Sequence, residues 1–162
     1  MPFTPFHVGP HATLAFMFQK YIDIPIFVGA NVAIDLEPLY VLIIRPDYPL
    51  HGYLHTLLFG SAVGLLFGIV AHQFKTPLTE LMAVLRLPYS TTIGKATLSG
   101  VLGAWLHVLT DAPMYTDIKP FFPSMANPLY GLYSMPAAYI LCSALFVPAV
   151  VLYYVAIRRS DI

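Results

Sequence analysis

Residues 51–71 read HGYLHTLLFGSAVGLLFGIVA, two histidines at the mouth of a long apolar run. From His55 to Ala71 there is no Asp, Glu, Lys or Arg. With its flanks, that run approaches the roughly 20 apolar residues a helix needs to cross a bilayer. Gly60, Gly64 and Gly68 recur at every fourth position, a spacing that lets helix backbones approach closely in lipid. His51 and His55 are also four apart. On a helix that separates them by only about 40° around the axis, so both imidazoles share one face. A hydrophobic segment that opens with two imidazoles on one side must offer them a partner.

The composition of the whole chain agrees with a lipid-facing fold. Of its 162 residues, 58% are hydrophobic and 10% charged, against about 25% charged in an ordinary soluble domain. Eight Lys and Arg balance eight Asp and Glu. No basic stripe stands out, which argues against nucleic-acid binding. Cys142 is the only cysteine and lies in an apolar run, so it reads as a small hydrophobe. The opening MPFTPFHVGP lacks the basic region and cleavage site of a signal peptide, so insertion is expected to use segments that stay in the chain.

We therefore expect a single all-α domain over residues 1–162, a polytopic membrane bundle of about five transmembrane or partly re-entrant helices. Residues 55–71 and 135–157 are the strongest spans; the second is uncharged and ends in Arg158-Arg159. Weaker spans fall near 10–20, 25–44 and 96–112, and 76–90 predicts a short amphipathic helix in the interface, ending at Pro88. An alternating path puts Lys20, Lys75, Arg86, Lys95, Arg158 and Arg159 on one side, leaving Arg45 and Lys119 opposite. The positive-inside rule makes the first side cytoplasmic.

Ionisable groups at membrane depth are costly and are functional candidates by default. His107 and Asp111 repeat the four-residue spacing of His51 and His55. Asp35 and Glu37 interrupt another apolar run, and His7 and His11 flank Gly9-Pro10. On the five-span path, His7, Asp35, Glu37, His51, His55, His107 and Asp111 share one outer layer. Imidazole nitrogens with carboxylate oxygens suit zinc or another first-row divalent ion. The bland alternative for the two spaced pairs is structural hydrogen bonding between helices. His11 reads rather as an exposed or capping residue. Asp117 and Lys119 read as solvated loop residues, and Tyr115, Tyr130, Tyr133 and Trp105 as an interfacial aromatic belt. Pro38 cannot donate to the carbonyl of Ile34, so the helix through 25–44 should break near Glu37.

Four stretches carry a family likeness: MPFTPFHVGP at 1–10, AIDLEPL at 33–39, YPLHGYLHTLLFG at 48–60 and GAWLHVLTDAPMYTDIKPFFP at 103–123. In content and order they resemble the predicted membrane-bound metal-dependent hydrolases of bacteria and archaea. That family is distantly similar to zinc-dependent phospholipase C and the P1-type nucleases. The resemblance implies a metal site of His7, Asp35, His51, His55, His107 and Asp111. The chain departs from the commoner pattern where Glu37-Pro38 stands for a second Asp and a His, and where Gly52-Tyr53 stands for Arg-Gly. Glu37 thus either replaces a ligand or stands behind one.

Such a ligand set exceeds the needs of one tetrahedral zinc and suffices for one to three ions with open positions. Paired metals activate water and stabilise the oxygens of a phosphoester undergoing hydrolysis. Glu37 or Asp35 would serve as the general base. A site near the headgroups favours a lipid-like or phosphoester substrate. A second reading is a metal transporter, chaperone or sensor without hydrolytic activity. It requires polar groups continuing toward the cytoplasmic side, and the inner halves of 55–71 and 135–157 are apolar. A third is a haem protein with His55 and His107 as axial ligands, which the crowding of carboxylates disfavours.

Overall fold

Several helices start where a short polar side chain captures a backbone N–H that the first turn leaves without a partner. Asp23 accepts from Ile26, Thr56 from Phe59, Thr92 from Lys95 and Ser134 from Ala137. The computed structural model describes residues 4–45 and 47–160, and every regular element among them is helical. A 3-10 turn over Thr4–His7 leads into α1 (Val8–Met17). Then come α2 (Ile24–Ile34), α3 (Leu36–Ile44), α4 (Leu57–Gln73) and α5 (Lys75–Val84). The chain ends with α6 (Ile93–Asp111), α7 (Met135–Ala144) and α8 (Phe146–Ser160).

Two stretches are long and apolar enough to cross a membrane: Ile24–Ile44, which is α2 and α3 in series, and Met135–Arg159, which is α7 and α8. A third arises if α4 and α5, bent by 82°, are taken as one span. That is fewer than the five expected. The run at 10–20 yields only the ten residues of α1. The run at 55–71 starts its helix at Leu57, because Thr56 is extended and caps it, so α4 has 17 residues. α6 has 19 residues but carries Lys95, Thr97, Ser99, His107, Thr110 and Asp111, and several of these are buried against protein. Apolar content alone does not separate lipid-facing helices from buried ones.

α6 is the central helix, packed most extensively against α4 and α2. Small residues let it approach both. A Cβ on Gly64 would strike the carbonyl of Gly100, and one on Gly100 would strike that of Gly64. A Cβ on Gly103 would strike the carbonyl of Phe27 in α2. The four-residue glycine spacing of α4 is thus the groove that seats α6. On the outside, Ile43, Leu66, Ile140 and Val147 lie exposed, an apolar surface of the kind that marks a membrane or partner contact.

The helix expected over 76–90 is α5, which ends at Val84, short of the expected stop at Pro88. It lies across the end of α4 with Met82 buried and Val84 exposed. At that end the turn before α2 is tied to α6. The backbone N–H of Asp23 donates to Ser99 Oγ at 2.7 Å, and Tyr89 Oη donates to Asp23 Oδ2 at 2.9 Å. Burial, then the charge of Asp23, push the Tyr89 hydroxyl above its usual range, so it remains a donor.

The break in the first long stretch falls at Asp35, two residues before the expected Glu37. Pro38 brings no N–H to the Ile34 carbonyl, so the regular ladder stops there. The Asp35 N–H turns instead to Val32 at 3.1 Å, and Leu39 resumes the ladder to Asp35 at 3.1 Å.

Candidate metal centre

α6 brings His107 and Asp111 to its far end, one turn apart and buried. The break between α2 and α3 turns Asp35 toward them, with Asp35 Oδ1 3.3 Å from His107 Nε2. His107 Nε2 also lies 3.5 Å from Asp111 Oδ2. His55, which closes the 3-10 turn Tyr53–His55, enters from before α4 with its ring 5.3 Å from that of His107. Asp35, His55, His107 and Asp111 each offer one ligand atom, and all these atoms lie within 4.8 Å of one another. This group could hold a metal ion.

The donor chemistry of the group suits an ion, with two imidazoles and two carboxylates facing one point. Nε2 of His55, Nε2 of His107 and Oδ1 of Asp111 are buried and have no hydrogen-bond partner among the described residues. Buried polar atoms are normally paired, so three at one point call for a physical cause. Two approaches within the group, both from His107, match the edge of a coordination tetrahedron. Ligands about 2.1 Å from a zinc stand about 3.4 Å apart; His107 Nε2 stands 3.3 and 3.5 Å from its carboxylate neighbours. The opposite ring nitrogens are engaged. His107 Nδ1 donates to Asn31 Oδ1 at 2.8 Å and His55 Nδ1 to Glu37 Oε2 at 2.9 Å. Those bonds fix the tautomers and turn both Nε2 lone pairs inward, the usual support behind metal-bound histidines.

His7 and His51 flank the group. His7 Nε2 is 3.2 Å from Asp111 Oδ1, and its ring is 4.8 Å from that of His107. Neither ring nitrogen of His7 has a hydrogen-bond partner among the described residues. The ring of His51 packs edge-on against His55 at 4.7 Å. The two do not share a helix face as expected: His51 lies in an irregular loop, because Thr56 delays α4 to Leu57. His51 is held by Asp117, which takes its backbone N–H at 3.0 Å and its ring Nδ1 at 3.1 Å, leaving Nε2 without a partner among the described residues.

Glu37 stands behind His55. Besides the ring Nδ1–H, its carboxylate accepts the N–H of Gly52 at 3.0 Å and of Leu54 at 3.1 Å. One side chain thereby shapes the loop that carries two histidines. His11 is buried, not exposed: its Nδ1 is 2.7 Å from the His7 carbonyl and its Nε2 3.2 Å from that of Gly103. Both nitrogens face carbonyls and away from ligand duty.

Sequence reasoning missed two residues. Asn31 stands four before Asp35 in the otherwise apolar IPIFVGANVAI, so a lone amide in such a helix was a usable signal. Asp117, read as solvated, is the partner of His51. Burial disfavours its charge, but the backbone N–H and ring of His51 hold its carboxyl below the usual range. Nothing in the local sequence marks it. Tyr115 also departs from the expected aromatic belt, since its ring packs 4.3 Å from that of His51.

Two openings reach the flanking residues His51 and Glu37. A cavity of about 190 Å³ is lined by His51, Tyr53, Asp117, Lys119 and Phe122. A second of about 220 Å³ is lined by Glu37, Tyr40, Arg45 and Tyr48. Tyr48 borders both, and Arg45 and Lys119 each line one.

Set against family models, curated proteins and solved structures, the chain matches none in any of the three comparisons.

Proposed function

We propose that the protein is a membrane-embedded metal-dependent hydrolase that cleaves a phosphoester or lipid-like substrate. The observation that carries this reading is the convergence of Asp35, His55, His107 and Asp111, with His55 Nε2, His107 Nε2 and Asp111 Oδ1 buried and without a hydrogen bond among the described residues. Two nitrogens and two oxygens suit a zinc-type ion. The sequence resemblance to membrane-bound metal-dependent hydrolases supports the same chemistry, and the apolar stretches Ile24–Ile44 and Met135–Arg159 support a membrane location.

In this reading Asp35, His55, His107 and Asp111 hold the ion. His7 and His51 stand where they extend the site toward a second one. When bound, such an ion supplies an acidified water and positive charge for the oxygens of the scissile group. Asn31 and Glu37 keep the two imidazoles in the tautomer that presents Nε2. Glu37, with three donors on its carboxylate, is a positioning residue here, and the base role falls to the Asp35 oxygen that does not hold the ion. Arg45 and Lys119 line the two openings and suit an anionic group arriving from the surface. The surplus of Lys and Arg at the other end of the bundle supports a non-cytoplasmic metal site.

The test is elemental analysis of the detergent-purified protein, followed by a phosphoester panel that includes phospholipids. The expected result is one to three zinc, manganese or iron atoms per chain and turnover of at least one phosphoester. Bound metal with an untouched panel removes hydrolysis and leaves transport or sensing. No bound metal after reconstitution removes both readings.

A further inference from the structure

The end of the bundle remote from the metal centre holds a cavity of about 380 Å³. Its lining includes Lys20, Asp23, Tyr89, Ser90 and Lys95, drawn from the α1–α2 turn, the segment before α6 and the first turn of α6. An adjoining groove of about 460 Å³ shares Tyr89 and Ser90 and extends past Lys75, Thr79 and Glu80. α6 carries Lys95 of this cavity in its first turn and His107 and Asp111 at its other end, and α2 runs from Ile24 of the cavity to its C-cap Asp35, so the two sites are separated by the length of the bundle.

We propose that this cavity binds the phosphate headgroup of an anionic phospholipid. Lys20 and Lys95 approach it from separate elements. Lys95 is half-buried and oriented by its bond to the Gln19 carbonyl at 3.0 Å. The acidic lining residue is sequestered: Asp23 is 1% exposed and takes hydrogen bonds from Ile26 N–H and Tyr89 Oη. The rim is therefore cationic, and the groove beyond is lined by one more lysine, Lys75, and by Glu80. Depth selects a lipid over a soluble anion. α5 crosses this end at 82° to α4, with Met82 inward and Val84 outward, as a helix lying in the membrane surface does. Met17 and Phe18, directly before the cavity's Gln19 and Lys20, are exposed apolar side chains placed to meet acyl chains. Clusters of lysine at the cytoplasmic surface attract anionic lipid in this way.

The proposal rests on the membrane location and not on the metal or on hydrolysis. It is tested by native mass spectrometry of the detergent-solubilised full chain, titrated with phosphatidylglycerol or phosphatidylcholine. Wild type is expected to prefer phosphatidylglycerol. The preference should fall about fivefold for Lys20→Ala and roughly 30-fold for Lys20→Ala with Lys95→Ala, while Lys95→Arg keeps it. An unfolding temperature in detergent unchanged from wild type certifies folding of each variant. If the double variant does not fold, the exposed Lys20→Ala alone decides. Equal binding of the two lipids, or a preference indifferent to Lys20, overturns the proposal. So does displacement of phosphatidylglycerol by inorganic phosphate at equal concentration, which identifies a soluble-anion site.

Discussion

The two ends of α6 hold buried polar groups of the same kinds in opposite states of satisfaction. At its start, Asp23 is enclosed and its carboxylate meets Ile26 N–H and Tyr89 Oη, with Ser99 Oγ on its backbone N–H. At its finish, His55 Nε2, His107 Nε2 and Asp111 Oδ1 lie buried with no hydrogen-bond partner among the described residues. Leaving a buried polar atom unmade costs about 1–3 kcal/mol each. A fold that satisfies the Asp23 carboxylate at one end and gathers several open atoms at one point of the other is consistent with a ligand at the second.

The sharpest way to break this contrast is to empty the open end. The double variant His55→Ala, His107→Ala should reduce the metal-to-protein ratio to background by elemental analysis, while the Asp23 end keeps its structure. A variant that still carries metal at the wild-type ratio would mean that the ion sits elsewhere. Next in size is the helix crossing that joins the ends. Gly100→Val drives a side chain into the Gly64 backbone, and overpacking of this kind costs about 1–3 kcal/mol or more. Thermal unfolding in detergent should fall, and metal should be lost with the fold.

A smaller effect separates ligands from the residues that aim them. Asn31→Ala leaves His107 Nδ1 without its acceptor and should weaken metal binding by about 10–100-fold, whereas Asn31→Asp retains an acceptor and most of the affinity. Competition with a calibrated chelator reads both. Equal weakening in the two variants would show that Asn31 acts through packing.

The same contrast explains what could be read without the structure. His107, Asp111, His55 and Asp35 were legible because ionisable groups in apolar runs are expensive and so conspicuous. The helix break near Pro38 was legible because a missing N–H has a local consequence, although it surfaces at Asp35. Other features depend on partners far along the chain. The loop at His51 is held by Asp117, 66 residues away, and His107 is aimed by Asn31, 76 residues away. Neither pairing has a local signature. The span count erred because α1 and α4 come out shorter than the apolar runs that predicted them and α6 carries polar residues along its length.

The smallest expected effects lie at the closed end, and they test whether it is structural alone. Asp23→Ala removes the cap of α2 and the acceptor of Tyr89, which should cost about 1–2 kcal/mol. Tyr89→Phe removes one hydrogen bond and should cost about 1 kcal/mol. Both should lower the unfolding temperature in detergent, Asp23→Ala more, without changing metal content or chelator affinity. The prediction is demanding because Asp23 and Asn31 stand eight residues apart on one short helix and its cap. If removing the cap at one end loosened the metal at the other, α2 would be transmitting strain along its length. The two ends would then be one coupled system, and the satisfied carboxylate would be part of the metal centre's support.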